Sequence, residues 1–292
     1  MESTETKKYR YEVTILLPAY NEASIIGTTI QKIRALHPDF EILVVDDGST
    51  DDTAQAAADA GATVFQHPYN IGNGAAIKSG LRHAKGKWIL MMDADGQHQP
   101  EDISRILEHK DTYDMVVGAR TRNSETRFHR DAANWVYNQF ASYVTNFKVE
   151  DLTSGFRLVK ASVARQYIYL LPNTFSYPST LTLAYLRNGR SVKYIPIATK
   201  FRVGKSKIKL IQDGTRFFLI ITKIAALFSP LRIFLPISFS LFFTGICYYA
   251  YTYLTQHRFT NMSALLFTSS LIIFMIGLVA EQISQMRYDR IE

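Results

Sequence analysis

The sequence predicts an α/β domain, with a mostly parallel sheet and helices on both faces, followed by interfacial helices and a two-helix transmembrane hairpin. Two observations lead to this fold class. Short apolar runs alternate with helical patterns in the first half of the chain, which is typical of a parallel sheet. The last third contains two uncharged stretches, each near the roughly 20 residues that a helix needs to cross a bilayer.

Five apolar runs are predicted as strands, at residues 13–17, 42–45, 62–65, 88–92 and 115–117. These runs are short and mostly uninterrupted, as expected for strands that are buried on both faces. Between the first two runs, Ile26, Ile30 and Ile33 recur at helical spacing. The pattern therefore predicts a helix that connects two parallel strands.

Polar side chains follow four of the predicted strands. Tyr20, Asn21 and Glu22 follow the first strand, Asp46, Asp47, Gly48 and Ser49 the second, Asp93, Asp95 and Gln97 the fourth, and Arg120 the fifth. Parallel sheets bind ligands at the carboxyl ends of their strands. These residues are therefore predicted to form one site.

The tail is predicted to anchor the chain in the cytoplasmic membrane as a multi-pass protein. Residues 233–254 and 262–280 carry no charged side chain, and a short polar turn joins them. Arg232, Arg287 and Arg290 favour a cytosolic location for both ends, against the single Arg258 in the turn. Two buried core helices are the alternative. No signal peptide is apparent, so the N-terminal region is expected in the cytosol.

The predicted domain bounds follow from these patterns. Residues 1–207 are predicted to form a cytosolic α/β domain, residues 208–230 amphipathic interfacial helices, and residues 231–292 the hairpin with a short cytosolic tail. The interfacial segment mixes Lys209, Arg216 and Lys223 with apolar residues, which is typical of a helix lying on a membrane.

Composition and motif searches exclude several classes of protein. The net charge of +7 and the pI near 9.3 favour anionic partners. A single cysteine, Cys247, excludes an intramolecular disulfide and a cysteine-based zinc site. The spacing of Gly72, Gly74 and Gly80 does not match a dinucleotide fingerprint, and no phosphate-binding P-loop motif occurs. These absences argue against dehydrogenases and P-loop kinases.

The carboxylates at the strand ends point to metal and nucleoside binding. Asp93 and Asp95 are spaced to offer hard oxygen ligands to Mg²⁺ or Mn²⁺, which in turn would neutralise a diphosphate. A turn or a helix cap is the alternative for such a pair. Asp46 and Asp47 are suited to accept hydrogen bonds from a base or a ribose, with an acidic helix start as the alternative.

Two basic runs are candidates for phosphate binding. The first contains Arg120, Arg122, Arg127 and Arg130, and the second contains Arg202, Lys205 and Lys207. Guanidinium groups bind phosphate oxygens in a bidentate manner, although a solvated basic face is the common alternative. Because these residues adjoin a membrane anchor rather than an aromatic platform, nucleic acid is not expected as a partner.

Taken together, the motifs resemble glycosyltransferase family 2, and within it the dolichol- and polyprenyl-phosphate sugar synthase branch of the bacterial two-span type. The resemblance covers about the first 210 residues. It rests on Leu17-Pro18-Ala19-Tyr20-Asn21-Glu22, Val45-Asp46-Asp47-Gly48-Ser49, Asp93-Ala94-Asp95, Asp151-Leu152-Thr153-Ser154-Gly155-Phe156-Arg157, and Arg202 with Gly204-Lys205-Ser206-Lys207. The Q-x-x-R-W motif of processive polymerases of the same family is absent.

The resemblance implies a GT-A fold and a role for each matching residue. Pro18, Tyr20, Glu22, Val45 and Asp47 would hold the nucleoside, and Asp93, Ala94 and Asp95 would meet the ribose and the diphosphate. Asp95 and Gln97 would be the ligands of Mg²⁺ or Mn²⁺. Arg120, Arg130 and Arg202 would bind the acceptor phosphate, and these arginines with Lys207 would also contact the donor diphosphate. Asp93, Asp95 and the three arginines would be the catalytic set.

The expected reaction transfers one hexose from a nucleotide sugar to a polyprenyl phosphate, with inversion at the anomeric carbon. A UDP-sugar is the favoured donor and GDP-mannose the second candidate. Since a phosphate monoester is largely ionised at neutral pH, a general base is dispensable. Asp151 is either such a base or a structural cap. Alternatives are a membrane-anchored transferase with a soluble acceptor and a non-catalytic scaffold, and a homo-oligomer is compatible with the anchor.

Overall fold

A computed structural model describes residues 9–121, 128–174, 176–199 and 229–288. The chain divides into two compact units, Met1–Ile208 and Lys209–Glu292. The first unit contains a seven-stranded sheet in the order β3-β2-β1-β4-β6-β5-β7. The strands are β1 Tyr11–Ala19, β2 Glu41–Asp46, β3 Thr63–Gln66, β4 Gly86–Met91, β5 Met115–Arg120, β6 Arg157–Lys160 and β7 Val192–Ile197.

The sheet is parallel except for one strand. β6 runs antiparallel to its neighbours β4 and β5, and all other pairs are parallel. The carboxyl ends of β1, β2, β4 and β5 consequently lie at the same edge, as the polar residues after the corresponding runs predicted. The α/β fold class is confirmed.

Helices cover both faces of this sheet. They are α1 Ala23–Leu36, α2 Thr53–Asp59, α3 Asn73–His83, α4 Asp102–Leu107, α5 Phe128–Thr145, α6 Ala161–Gln166 and α7 Tyr177–Arg187. One core joins Ile15 and Leu17 of β1 to α1, α2 and α4, and includes Ile30 of α1. Leu16 points to the opposite face, where its side chain fills the space beside Gly80 of α3. This alternation along β1 follows from the two-residue period of a strand.

Strands β6 and β7 were not predicted from the sequence. β6 has only two apolar residues between Arg157 and Lys160, so it lacks the uninterrupted apolar run that identified the other strands. β7 contains Lys193 and Pro196. Among the described strands it lies at the end of the sheet, a position where proline is tolerated.

The second unit contains two long apolar helices joined in a hairpin, Leu231–Gln256 and Asn261–Tyr288. Both are long and apolar enough to cross a membrane. Ser238 and Ser270 each donate a side-chain hydrogen bond to the other's backbone oxygen, at 2.9 Å. Large side chains such as Phe239 and Leu271 face outward. The predicted hairpin is thus confirmed, whereas most of the predicted interfacial segment lies outside the described residues.

Candidate active site

The loops that follow β1 and β2 hold each other in place. Asn21 adopts a left-handed conformation, and its side-chain oxygen accepts a hydrogen bond from the Thr50 N–H at 2.8 Å. In return the backbone N–H of Asn21 donates to Ser49 Oγ at 2.9 Å, and that of Glu22 donates to Thr53 Oγ1 at 2.8 Å. These bonds fix the two loops that carry most of the predicted nucleoside residues.

The predicted nucleoside residues differ in their accessibility. Pro18 and Val45 are neighbours in the β1–β2 ladder, and both are buried. Tyr20 is 45% exposed at the edge of the sheet, and Glu22 is half-buried. A nucleoside at this edge could therefore reach the Tyr20 ring directly, while Pro18 and Val45 lie in the layer beneath. Their role in binding stays a prediction.

Asp46 and Asp47 are buried and hydrogen-bonded. Asp46 accepts bonds from the backbone and hydroxyl of Ser49 and, at 3.0 Å, from Gln66 Nε2. Asp47 accepts bonds from His67 Nδ1 at 2.7 Å, from Ile71 N–H at 3.0 Å and from Gly72 N–H at 2.8 Å. Asp47 therefore connects the end of β2 to the loop between β3 and α3.

Gly48 allows these two loops to approach closely. Its φ is +70°, and a Cβ at this position would lie 2.4 Å from the backbone carbon of Tyr69. A side chain there would force the loops apart. Tyr69 itself is strongly exposed at the same edge of the sheet.

Asp93, Ala94, Asp95 and Gln97 follow β4, as predicted. The backbone N–H of Gln97 donates to Asp95 Oδ1 at 3.2 Å across a turn at Gly96, whose φ is +73°. The Asp93 side chain is 34% exposed. Ala94 is buried, so that Asp93 and Asp95 flank a residue anchored in the core. The segment thus offers carboxylate and amide oxygens at the carboxyl edge of the sheet.

This donor set fits a divalent cation that also binds substrate phosphates. Mg²⁺ and Mn²⁺ prefer oxygen ligands, and Mg²⁺ is commonly held by one or two carboxylates together with phosphate oxygens. Among the residues that the structure describes, no group of three or more His, Cys, Asp or Glu side chains is arranged to hold a metal. The roles of Asp95 and Gln97 as metal ligands stay predictions.

Arg120 and Asp151 form a partly buried ion pair at the end of β5, with 20% of the Arg120 side chain and 7% of the Asp151 side chain exposed. Arg120 Nε lies 2.8 Å from Asp151 Oδ2, and Nη2 lies 2.9 Å from Oδ1. Asp151 also accepts hydrogen bonds from the backbone N–H groups of Arg120, Thr153 and Ser154. Burial alone would raise the pKa of Asp151, but the hydrogen bonds and the charge of Arg120 hold the pKa below its usual value.

This geometry favours a structural role for Asp151 over a general base. A base must be able to accept a proton from the attacking group, whereas both Asp151 oxygens already accept hydrogen bonds within the protein. The ion pair also limits what Arg120 can bind, because Nε and Nη2 of its guanidinium contact Asp151. A role for Arg120 in binding the acceptor phosphate stays a prediction.

Arg157 was quoted within a motif of the sequence but assigned no role. It is fully buried in β6 and donates to the carbonyl oxygens of Ser154 and Pro178 and to Thr182 Oγ1, the last two at 2.7 and 3.0 Å. Burial lowers the pKa of its guanidinium. The side chain ties β6 to the start of α7 and so supports the segment that carries Asp151.

Three predicted phosphate-binding residues are not placed. Arg202 and Lys207 lie outside the described residues, and for Arg130 in α5 only the backbone is described. Their roles stay predictions.

His67 is a site residue that the sequence analysis missed. It follows β3 directly, at the same edge of the sheet as Asp46 and Asp47. The rule that singled out polar residues after the other strands would have identified it.

Comparisons with known proteins match both units of the chain. The glycosyl transferase family 2 model matches residues 14–168, more than half of the chain, and a GtrB C-terminal hairpin model matches residues 229–286. The chain is 29% identical over 211 residues to an undecaprenyl-phosphate mannosyltransferase of Micrococcus luteus, covering 67% of this chain and 87% of the relative. It is 28% identical to the glycosyltransferase AglJ of Haloferax volcanii, covering 90% and 91% of the two chains.

The fold is shared with solved structures. Glucosyl-3-phosphoglycerate synthase from Mycobacterium tuberculosis, in complex with Mn²⁺ and UDP-glucose, superposes with a TM-score of 0.60 at 18% identity, over 74% of this chain and 78% of that chain. At this identity the likeness supports the GT-A fold alone. The family match and the hairpin match together show that this chain is a glycosyltransferase of family 2, in the polyprenyl-phosphate sugar synthase branch that its motifs predicted.

Proposed function

We propose that this glycosyltransferase moves one hexose from a nucleotide sugar to a polyprenyl phosphate at the cytoplasmic face of the membrane, with inversion. The observation that carries the proposal is the pairing of Asp151 with Arg120. Because Asp151 is held as an ion-pair partner, it is poorly suited to deprotonate a hydroxyl acceptor. A phosphate acceptor has a second pKa of about 6 and arrives largely ionised.

The reaction is a single displacement. A phosphate oxygen of the lipid attacks the anomeric carbon and forms the new C–O bond with its own electron pair. The bond from that carbon to the nucleoside diphosphate breaks, and the electron pair leaves with the diphosphate. Attack from the opposite side inverts the anomeric configuration. The protein must align the two reactants and stabilise the charge that develops on the leaving group.

Different site residues bind the nucleoside, the diphosphate and the acceptor phosphate. Tyr20, Glu22 and Asp47 bind the nucleoside above Pro18 and Val45, and Asp93 with Ala94 and Asp95 contacts the ribose and the diphosphate. A divalent cation held by Asp95, Gln97 and the phosphates would neutralise charge on the leaving diphosphate. Arg120, Arg130 and Arg202 bind the acceptor phosphate, and Lys207 binds the donor.

Two further parts of the proposal concern the donor and the membrane. A UDP-sugar is favoured, and the solved enzyme of the same fold that binds Mn²⁺ and UDP-glucose is consistent with it. The relative that transfers mannose supports a mannosyl donor as the second candidate. Residues 1–207 would form the cytosolic domain, residues 208–230 would lie at the interface, and residues 231–292 would contain the membrane-spanning hairpin and the cytosolic tail.

The test is transfer from radiolabelled UDP- and GDP-sugars to undecaprenyl phosphate, with Mg²⁺, Mn²⁺ or EDTA. We expect label to enter the organic phase from one donor and to be lost with EDTA. A labelled water-soluble product that chromatography separates from the donor and from the free sugar would indicate a soluble acceptor, and no transfer from any donor would indicate a scaffold. The Asp95→Asn variant should abolish transfer, while Asp111→Asn, at an exposed position, should retain it.

A further inference from the structure

Asp47, His67 and Ser79 form a continuous hydrogen-bonded chain across three elements of the fold. His67 Nδ1 lies 2.7 Å from Asp47 Oδ1, and His67 Nε2 lies 2.8 Å from Ser79 Oγ. Asp47 follows β2, His67 follows β3, and Ser79 lies in α3. The His67 ring is only 6% exposed. None of the predicted roles uses His67 or Ser79.

The direction of these hydrogen bonds follows from the chemistry of the partners. An ionised carboxylate only accepts hydrogen bonds, so His67 Nδ1 must carry the proton that is shared with Asp47. In the neutral ring Nε2 is then an acceptor, and the Ser79 hydroxyl donates to it. Asp47 therefore selects the tautomer of His67 that carries the proton on Nδ1, and Ser79 holds the Nε2 end of the ring in place.

Two backbone N–H groups also hold the Asp47 carboxylate. Ile71 N–H donates to Asp47 Oδ1 and Gly72 N–H donates to Oδ2. The backbone at Gly72 packs closely against Asn173. A Cβ added at residue 72 would lie 2.3 Å from the carbonyl oxygen of Asn173. A carboxylate has about four acceptor positions. With three donors in place, Asp47 has its plane fixed and about one position left for a further donor.

We propose that His67 is a positioning residue for donor recognition, which holds Asp47 so that its remaining acceptor position receives an N–H group of the nucleobase. This inference rests on the proposed function, since it assigns a task to the nucleoside-binding edge. Uracil and guanine present a ring N–H on their pairing edge, whereas cytosine and adenine present an acceptor nitrogen there. A fixed acceptor selects the first two bases and disfavours the other two.

Two substitutions of His67 test the contacts of Nδ1 and Nε2 separately. The side-chain amide of asparagine stands at the same number of bonds from Cβ as Nδ1, and that of glutamine stands at the same number as Nε2. His67→Asn therefore keeps a donor for Asp47 and loses the contact with Ser79. His67→Gln keeps a partner for Ser79 and removes the donor from Asp47. A merely structural role would be affected by both changes alike.

The experiment measures binding of UDP, GDP, CDP and ADP by titration calorimetry to the full chain in detergent, with donor KM and kcat measured in parallel. Wild type should bind UDP or GDP and prefer it to CDP and ADP. His67→Gln should raise the Kd and the donor KM about tenfold, as expected for one lost hydrogen bond to a charged group, with kcat within about twofold. His67→Asn should stay within about threefold of wild type.

His109→Gln is the matched control, because His109 follows α4 and takes no part in this chain of bonds. It should leave binding and transfer unchanged. Equal losses in His67→Asn and His67→Gln, or a loss of kcat without a change in KM, would overturn the inference. If His67→Gln does not fold, Ser79→Ala provides the test. It should weaken nucleotide binding and leave kcat unchanged. Unaltered nucleotide binding would contradict the inference.

The outcome also separates this inference from the proposed function. Wild-type protein that binds no nucleoside diphosphate would reject the proposed function. Wild-type protein that binds UDP or GDP, while His67→Gln binds it equally well, would reject only the role of His67.

Discussion

Arg120 and Asp151 face each other as a bidentate ion pair at the end of β5, with N–O distances of 2.8 and 2.9 Å. Both belong to segments that the sequence singled out, one as a phosphate ligand and the other as a base or a cap. The pair links the two segments and gives Asp151 a task that does not involve proton transfer. It also places a guanidinium, already oriented by a carboxylate, at the edge where the sugar would be transferred.

The Asp151→Asn variant should lose stability rather than acid–base chemistry. Removing the charge of Asp151 should cost about 1–3 kcal/mol, because Arg120 and the backbone N–H groups lose their ionised acceptor while Arg120 keeps some contact with solvent. We expect a lower free energy of unfolding, measured by denaturant titration of the detergent-solubilised chain, relative to Asp111→Asn. The pH–rate profile of the remaining transfer should keep its shape. Loss of the acid-side limb of that profile, where the rate falls as the pH falls, would instead identify Asp151 as the base.

The stability of the catalytic unit should also depend on pH in the acid range through Asp151. The pKa of this carboxyl in the folded protein lies below its ordinary value, because Arg120 and the backbone N–H groups stabilise the ionised form. A depressed folded pKa means that the contribution to stability is present above the unfolded pKa and is lost as the pH falls through the folded pKa. Thermal unfolding between about pH 3 and 7 should therefore show a steeper loss at the acid end in wild type than in Asp151→Asn. Parallel curves would contradict this.

Gly155 controls the position of Asp93. A Cβ at residue 155 would lie 2.7 Å from Asp93 Oδ2 and 3.1 Å from Cγ, so alanine must push the carboxylate aside. Displacement of a site group by about 1 Å can cost roughly a hundredfold in rate. We expect Gly155→Ala to lower kcat/KM by about tenfold to a hundredfold, with the fold retained.

Gly189→Ala is the control for this change. Gly189 has φ of +65°, and a Cβ added there would have no atom within 4 Å, so alanine adds only backbone strain. It should cost about 1 kcal/mol of stability and leave transfer intact. If Gly155→Ala behaves like Gly189→Ala, the position of the Asp93 carboxylate is not critical to the reaction.

The fold could be predicted from the sequence where a buried segment is apolar over several consecutive residues. β1 and β2 are apolar because both of their faces are covered, and the hairpin helices lack charge over a length that few soluble helices reach. β6 gives no such signal. Its four residues acquire their place from pairing with β4 and β5 on both sides, and its Arg157 is buried only because Ser154, Pro178 and Thr182 supply acceptors.

The candidate site was predictable to a similar extent. Positions after strand ends could be identified, and the structure places Tyr20, Asp47, Asp93 and Asp95 at one edge of the sheet. The partners of these side chains could not be predicted, because they come from distant parts of the sequence. His67 lies 20 residues from Asp47, and Asp151 lies 31 residues from Arg120. Such pairs depend on the order of the strands, which the local pattern does not contain.

The orientation of the hairpin can be tested with the chain's single cysteine, Cys247, replaced by serine. Gln256→Cys then places a thiol at the end of the first hairpin helix, and Ser104→Cys places one on exposed α4 of the catalytic unit. If the positively charged flanks stay in the cytosol, a membrane-impermeant maleimide should label Gln256→Cys in intact cells. Ser104→Cys should react only after the membrane is permeabilised. The reverse pattern would place the catalytic unit outside the cytosol, and protection of both thiols in intact cells would show that the turn between the helices does not cross the membrane.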